Sequence, residues 1–354
     1  MAYTTIDKST NYFNTKLYAG DNATSNAISG VGFKPDWLWI KNRSGISDHQ
    51  TADSVRGKSG SLFLQLRANT NDSEVVQPDD DGVKSLDSDG FTVGYTNSTA
   101  WNNSGNNYVA WNWLAGGSAS SNTDGDITSS VSANTTAGFS IVSYTGNGSA
   151  GETVGHGLGS KPKVIIVKIR STTDHWIFYH EDTGATKNLR LNTTDGLITA
   201  GGPFNNTEPT SSLFTLGSGS ATNTNSATFI AYCFAEKKGY SKFGSYTGNG
   251  STDGTFVYTG FRPAWVMSKR TNSSGNSWRI FDNKRPGFNT SSMNFVHANL
   301  TNSEDTGDVM DLNSNGFKIR TNSTDQNTSG SLYIYMAFAE APFVSSGGVP
   351  TTAR

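Results

Sequence analysis

Two tryptophans, Trp176 and Trp278, stand 14 and 15 residues after Pro162 and Pro263, and Trp101 lies in the Asn/Ser-rich stretch NSTAWNNSGNN at 97–107. An exposed Trp beside amides and hydroxyls can stack on a sugar ring while its neighbours bond the sugar's hydroxyl groups. Asp282 and Arg285, three residues apart, could grip a polar ligand or close a local ion pair. The candidate ligand-binding residues are therefore Trp101, Trp278, Asp282 and Arg285. The plainer alternatives are core strand positions for Trp176 and Trp278 and a salt bridge for the Asp–Arg pair.

No pattern points to catalysis. GNGSAG at 146–151 satisfies G-x-G-x-x-G, but the following ETVGHGLG reads as strand and turn. A dinucleotide site needs a helix there, so a hairpin turn is expected. There is no G-x-x-x-x-G-K-[ST], G-x-S-x-G or H-E-x-x-H. The five His, at 49, 156, 175, 180 and 297, are scattered, and His175 and His180 point to opposite faces of a strand. The single cysteine, Cys233, excludes an internal disulfide framework and a Cys-based zinc cluster, and its strand context suits a small buried hydrophobe. PDDDG at 78–82 and DSDG at 87–90 put acids near Gly turns as calcium loops do, yet lack the bidentate Glu; solvated turn acids are expected. No Asp or Glu recurs in a strong strand throughout, so the paired carboxylates of a polysaccharide depolymerase have no support. The expectation is a non-enzyme with no cofactor and no metal.

A net charge of −2, from 27 Lys plus Arg against 29 Asp plus Glu, argues against nucleic acid or a membrane surface as partner. No apolar stretch is long enough to insert in a membrane as a helix. The opening MAYTTIDKSTNYFNTKLY lacks the apolar run of a Sec-type signal. Charged residues are only 16% while aromatics are 11% and Gly numbers 39, a balance that belongs to an all-β chain rich in turns.

The elements recur. SYTGNG occurs at 143–148 and again at 245–250. GFKPDWLWIK, GSKPKVIIVK and GFRPAWVMSK place Lys41, Lys168 and Lys269 six residues after Pro35, Pro162 and Pro263. Each is followed by a shared strand, YVAWNWLA, FIAYCFAE and YIYMAFAE. The chain is thus expected to carry three copies of one unit of roughly 115 residues. Each copy is a jelly-roll-like β-sandwich built of short strands. In the final strands one face holds large apolar side chains and the other recurrent small ones, which predicts packing on both faces. The predicted boundaries are 18–117, 139–240 and 241–346, with 118–138 a flexible Gly/Ser/Asn linker and 347–354 a tail. Whether the units lie end to end or fold back on one another is left open.

The quoted stretches TAGFSIVSYTGNGSAGETVGHGLGSKPKVIIVK, AYCFAEKKGYSKFGSYTGNGSTDGTFVYTGFRPAWVMSKR and YIYMAFAEAPF resemble the recurring domain of marine tailed-bacteriophage virion proteins, described as tail-fibre-like or virion structural. The likeness is strongest over 136–344; in the first copy FNTKLYAGDNAT replaces the Tyr-Thr-Gly-Asn-Gly opening. The resemblance implies a virion component assembled in the host cytoplasm, a homotrimer, with residues 1–17 an arm attaching it to other virion proteins. It places the third unit toward the host, and the leading expectation is that the protein engages a host cell-surface glycan through multivalent contacts. A head or collar decoration with a purely structural role is the alternative, and a polysaccharide depolymerase a weaker one.

Overall fold

The computed structural model describes residues 3–77, 80–199, 202–345 and 347–350. Apart from short helical turns at Ser9–Asn11, Glu181–Thr183 and Ser220–Asn223, its elements are β-strands, and the protein is all-β.

Three large antiparallel sheets dominate. The first runs Phe13–Ala19, Asn107–Trp113, Trp37–Asn42, Gln50–Asp53, Leu66–Arg67. The second carries the same order in Phe139–Thr145, Thr228–Phe234, Val164–Ile169, Ile177–His180, Leu189–Arg190. The third carries it in Ser241–Thr247, Leu332–Pro342, Phe261–Arg270, Arg279–Asp282, Met293–His297, with Asp305–Gly307 added at the edge. In every case the late strand lies between the opening strand and the strand that follows Pro35 or Pro162 or contains Pro263, so it has neighbours on both sides.

Both faces of that strand are buried, for different reasons. Tyr108 and Ala110, Phe229, Ala231 and Cys233, and Tyr333, Tyr335 and Ala337 face a small sheet of their own unit, closing three separate sandwich cores. Val109, Trp111 and Trp113, Ile230, Tyr232 and Phe234, and Ile334, Met336 and Phe338 all enter one further core common to the three units. Trp37 of the first unit stacks on Tyr232 of the second at 4.3 Å, and Phe13 of the first on Phe338 of the third at 5.1 Å. The wide aromatics are what span the gap between three twisted sheets.

The repeated SYTGNG is scaffold. Tyr144 and Tyr246 stack on Phe229 and Tyr333 at 5.1 and 5.0 Å, and their hydroxyls donate to the carbonyls of Thr222 and Gln326. A Cβ on Gly146 or Gly248 would lie 2.5 or 2.4 Å from a backbone oxygen, that of Thr224 or Thr328. Gly148 and Gly250 have φ of 78° and 73°; the first unit uses Asn22, at 62°, in the same role. Asn223 and Asn327 then accept from the turn's amides at Asn147 and Asn249.

Two expected segments are revised. The stretch 118–138 is not a flexible linker: Ser120–Asn122 and Ser129–Asn134 extend the second sheet, and Val131 is buried. Its alternating small polar residues are compatible with a sheet edge as well as with a coil. Residues 3–17 are not a free arm either. Phe13 begins an edge strand, Ile6 enters the common core, and the Tyr3 hydroxyl donates to the Gly260 carbonyl at 2.9 Å. Met1, Ala2 and, in the tail, residues 351–354 lie outside the described residues.

Candidate functional site

The four residues singled out from sequence are inside the protein. Trp101 is 1% exposed, in the first unit's own core; its carbonyl accepts from the Tyr18 hydroxyl. Trp278 is 1% exposed and donates its indole N–H to the Arg190 carbonyl at 3.0 Å. Asp282 and Arg285 pair at 2.8 Å with both side chains fully buried. None offers a face to a ligand, and the expected ligand-binding roles, stacking for the tryptophans and gripping for the Asp–Arg pair, are withdrawn. Trp278, Asp282 and Arg285 fill places where one unit meets another, whereas Trp101 is packed inside the first unit's own core.

Those meeting places follow one pattern. The Trp176 indole donates to the Arg67 carbonyl, from second unit to first, and Trp278 to Arg190, from third to second. His49 stands 14 residues after Pro35, as Trp176 does after Pro162, and its Nε2 meets the His297 carbonyl at 3.0 Å, from first unit to third. The ring of contacts therefore closes. Asn69, Asn192 and Asn299 accept from the backbone N–H of His49, Trp176 and Trp278, fixing each projecting side chain.

The recurrent lysines do the same work. Lys41 Nζ donates to Thr301, Lys168 Nζ to Asn71 and Lys269 Nζ to Thr194, each a carbonyl of the next unit, at 3.0, 3.3 and 3.5 Å. Burial lowers the pKa of each to about 8. Ion pairs complete two of the joints. Asp53 binds Arg56 and accepts from the Tyr232 hydroxyl at 2.8 Å; Asp282 binds Arg285 and accepts from the Trp111 indole at 3.1 Å. His180 is the second unit's counterpart; burial drives its pKa down to about 4 and its Nε2 meets the Tyr335 carbonyl.

The acids of the Gly turns are occupied within the protein: Asp80 pairs with Lys84 and Asp87 accepts from the Thr92 hydroxyl, while Asp81 and Asp89 are held by backbone. Asp81 accepts from Thr96, Asn97 and Ser98, and Asp89 from Gly30 and Gly32. Pro78 and Asp79 lie outside the described residues. Among the described residues no three His, Cys, Asp or Glu side chains cluster as a metal site would require. Cys233 is buried, and burial raises its thiol pKa out of reactive range.

What does face outward is the small sheet of the third unit. Its strand Phe256–Tyr258 alternates, with Val257 in the core while Phe256 is 44% and Tyr258 58% exposed. Across the sheet Phe256 lies opposite Lys318 and Tyr258 opposite Gly316, with Asp311 and Asn313 on the next strand. Two exposed aromatic residues, spaced about 7 Å along the strand backbone, are thus set beside a row of polar groups. Lys318 pairs with Asp253 at 2.5 Å, and Arg320 with Asp311 at 3.5 Å. Tyr3 borders the pair: Lys238 sits 4.5 Å over its ring, and its hydroxyl pKa is raised by burial and then by Tyr258.

The platform is confined to one unit. At the corresponding register the first unit has Ala27 and Ser29, and the second Thr153 and Gly155. Composition hid it, because aromatics are common along the chain. The legible signal is the i, i+2 aromatic pair in TFVYTG where the parallel stretches AISG and ETVG have none.

The fold and its joints define an all-β protein of three mutually braced units, whose ionisable side chains at the joints serve structure. The chain belongs to the family described as Domain of unknown function (DUF7483), whose model matches residues 8–342. That single match spans all three large sheets. No curated protein and no solved structure matches the chain.

Proposed function

We propose that the protein is a structural component of a bacteriophage particle, tail-fibre- or appendage-like, that engages a host cell-surface glycan through the outer face of its third unit. The observation that carries the reading is the exposed Phe256–Tyr258 pair, absent from the same positions of the other two units. Aromatic rings cover the C–H face of a sugar while Lys318, Asp311 and Asn313 address its hydroxyls. A glycan contact of this kind is weak singly and gains from several copies on one particle. The likeness of the quoted repeat stretches to tailed-phage virion proteins supports the setting. The burial of Trp101, Trp278, Asp282 and Arg285 favours the second reading, a head or collar decoration without a ligand.

The test is adsorption. Purified protein added before infection is expected to block phage attachment, and the double variant F256A/Y258A to lose that block by roughly ten- to a hundredfold in effective concentration. Both side chains are substantially exposed, so the melting temperature should stay within a few degrees of wild type. Equal blocking by both proteins, or no blocking together with antibody label over the head or collar, would sink the glycan reading.

A further inference from the structure

The three joints use the same positions but are not filled alike. Between first and third units Arg43 grips Glu304 with two bonds of 2.8 Å, and Arg285 reaches the same carboxylate at 3.3 Å. Between second and first units Arg170 grips Glu74 at 2.8 and 2.9 Å, and Arg56 reaches it at 3.5 Å. Backbone bonds identify the matching positions at the last joint: Glu304 N donates to Arg43 O, Glu74 N to Arg170 O, and Leu197 N to Thr271 O. Leu197 therefore stands in place of the glutamate and Thr271 in place of the gripping arginine. Thr183, three residues after His180, replaces Arg56 and Arg285.

Removing two guanidinium groups and a carboxylate leaves room. A cavity of about 130 Å³ lies between Thr183, Leu197, Thr271 and Ile334. Beside it, sharing Lys187, Leu197 and Thr271, runs an open groove of about 470 Å³ lined by Thr199, Ser273 and Ser274. Lys187 occupies the place of Asn294, one residue before the bridge to the next strand; the Asn294 amide donates to Glu304 at 2.6 Å. The cation thus flanks the place where the other joints keep a carboxylate, and among the described residues no acid forms an ion pair with it. Asp182 stands at the rim of the small cavity.

We infer that this third joint is a binding cleft for a carboxylate-bearing sugar, a hexuronic acid residue. Its carboxylate takes the place of Glu74 or Glu304 and pairs with Lys187. Its hydroxyls bond to the side chains of Thr199, Ser273 and Ser274 and to the Asp182 carboxylate, which accepts from sugar hydroxyls as carboxylates do. Leu197 and Ile334 receive the apolar face of the ring. The inference is independent of the Phe256–Tyr258 platform, which lies on a different sheet.

Titration of the whole protein with digalacturonate, followed by calorimetry and by amide chemical shifts, tests it. The expected result is saturable binding with shifts at Lys187, Leu197 and Thr271, and at least tenfold weaker binding of the neutral digalactose. The variant L197E/T271R restores the pair found at the other two joints and is expected to remain folded while losing digalacturonate binding at least tenfold. Should it fail to fold, K187A carries the test with the same expected loss. F256A/Y258A should bind digalacturonate as wild type does. No saturation at millimolar digalacturonate, equal binding of the neutral sugar, or unchanged binding by K187A overturns the inference.

Discussion

Asp282→Ala destabilises the protein by about 3–5 kcal/mol, measured by denaturant unfolding with the slope unchanged. The Asp282 carboxylate accepts from Arg285 Nε at 2.8 Å, from the backbone N–H of Arg285 at 2.9 Å and of Lys284 at 3.1 Å, and from the Trp111 indole at 3.1 Å. All of these donors lose their acceptor together, and the Arg285 guanidinium stays fully buried with Glu304 as its remaining acid. The loss comes from stranding a charge, since a buried pair as such adds little over apolar packing. The second unit supplies the natural control, because it puts His180 and Thr183 at the equivalent positions. The double change D282H/R285T, which removes both charges, should cost less than D282A alone. A double variant that is less stable than D282A would show that the ion pair itself, and not the stranded arginine, carries the energy.

Trp37→Ala has an effect of the same size for a different reason. The ring is 2% exposed and lies between Trp113 of its own sheet, at 4.5 Å, and Tyr232 of the second unit, at 4.3 Å. Truncating a buried Trp costs about 3–5 kcal/mol, a large part of the 5–15 kcal/mol that holds most domains. Because the cavity would open in the common core, the second and third units should lose hydrogen-exchange protection along with the first. Protection lost in the first unit alone would mean that the shared core does not couple the units.

Much of the fold was legible because strand periodicity is a local signal. The recurring Pro-to-Lys spacing and the two-faced final strands foretold the sheets, and the small residues on one face foretold packing there. What that packing was could not be read. Nothing in Trp111, Tyr232 and Met336 says that the first meets Asp282 and the second Asp53 of another unit, since such contacts depend on how three sheets close. The lysines illustrate the same limit: Lys41, Lys168 and Lys269 stood out by spacing, but their role is set by carbonyls 260, 97 and 75 positions away. Trp101 misled because an Asn/Ser-rich context reads as surface, whereas Asn102 and Tyr108 fold that loop down through hydrogen bonds and bury the indole. Glycine-rich composition at 116–138 misled similarly, because sheet edges accept small residues.

The central claim is that the three large sheets form one structure around a common core. Differential scanning calorimetry of the whole chain tests it most directly. The account predicts a single transition whose calorimetric and van't Hoff enthalpies agree, since no unit can keep its share of the common core alone. Two or three resolved transitions, or a fragment 139–240 that melts cooperatively by itself, would contradict it.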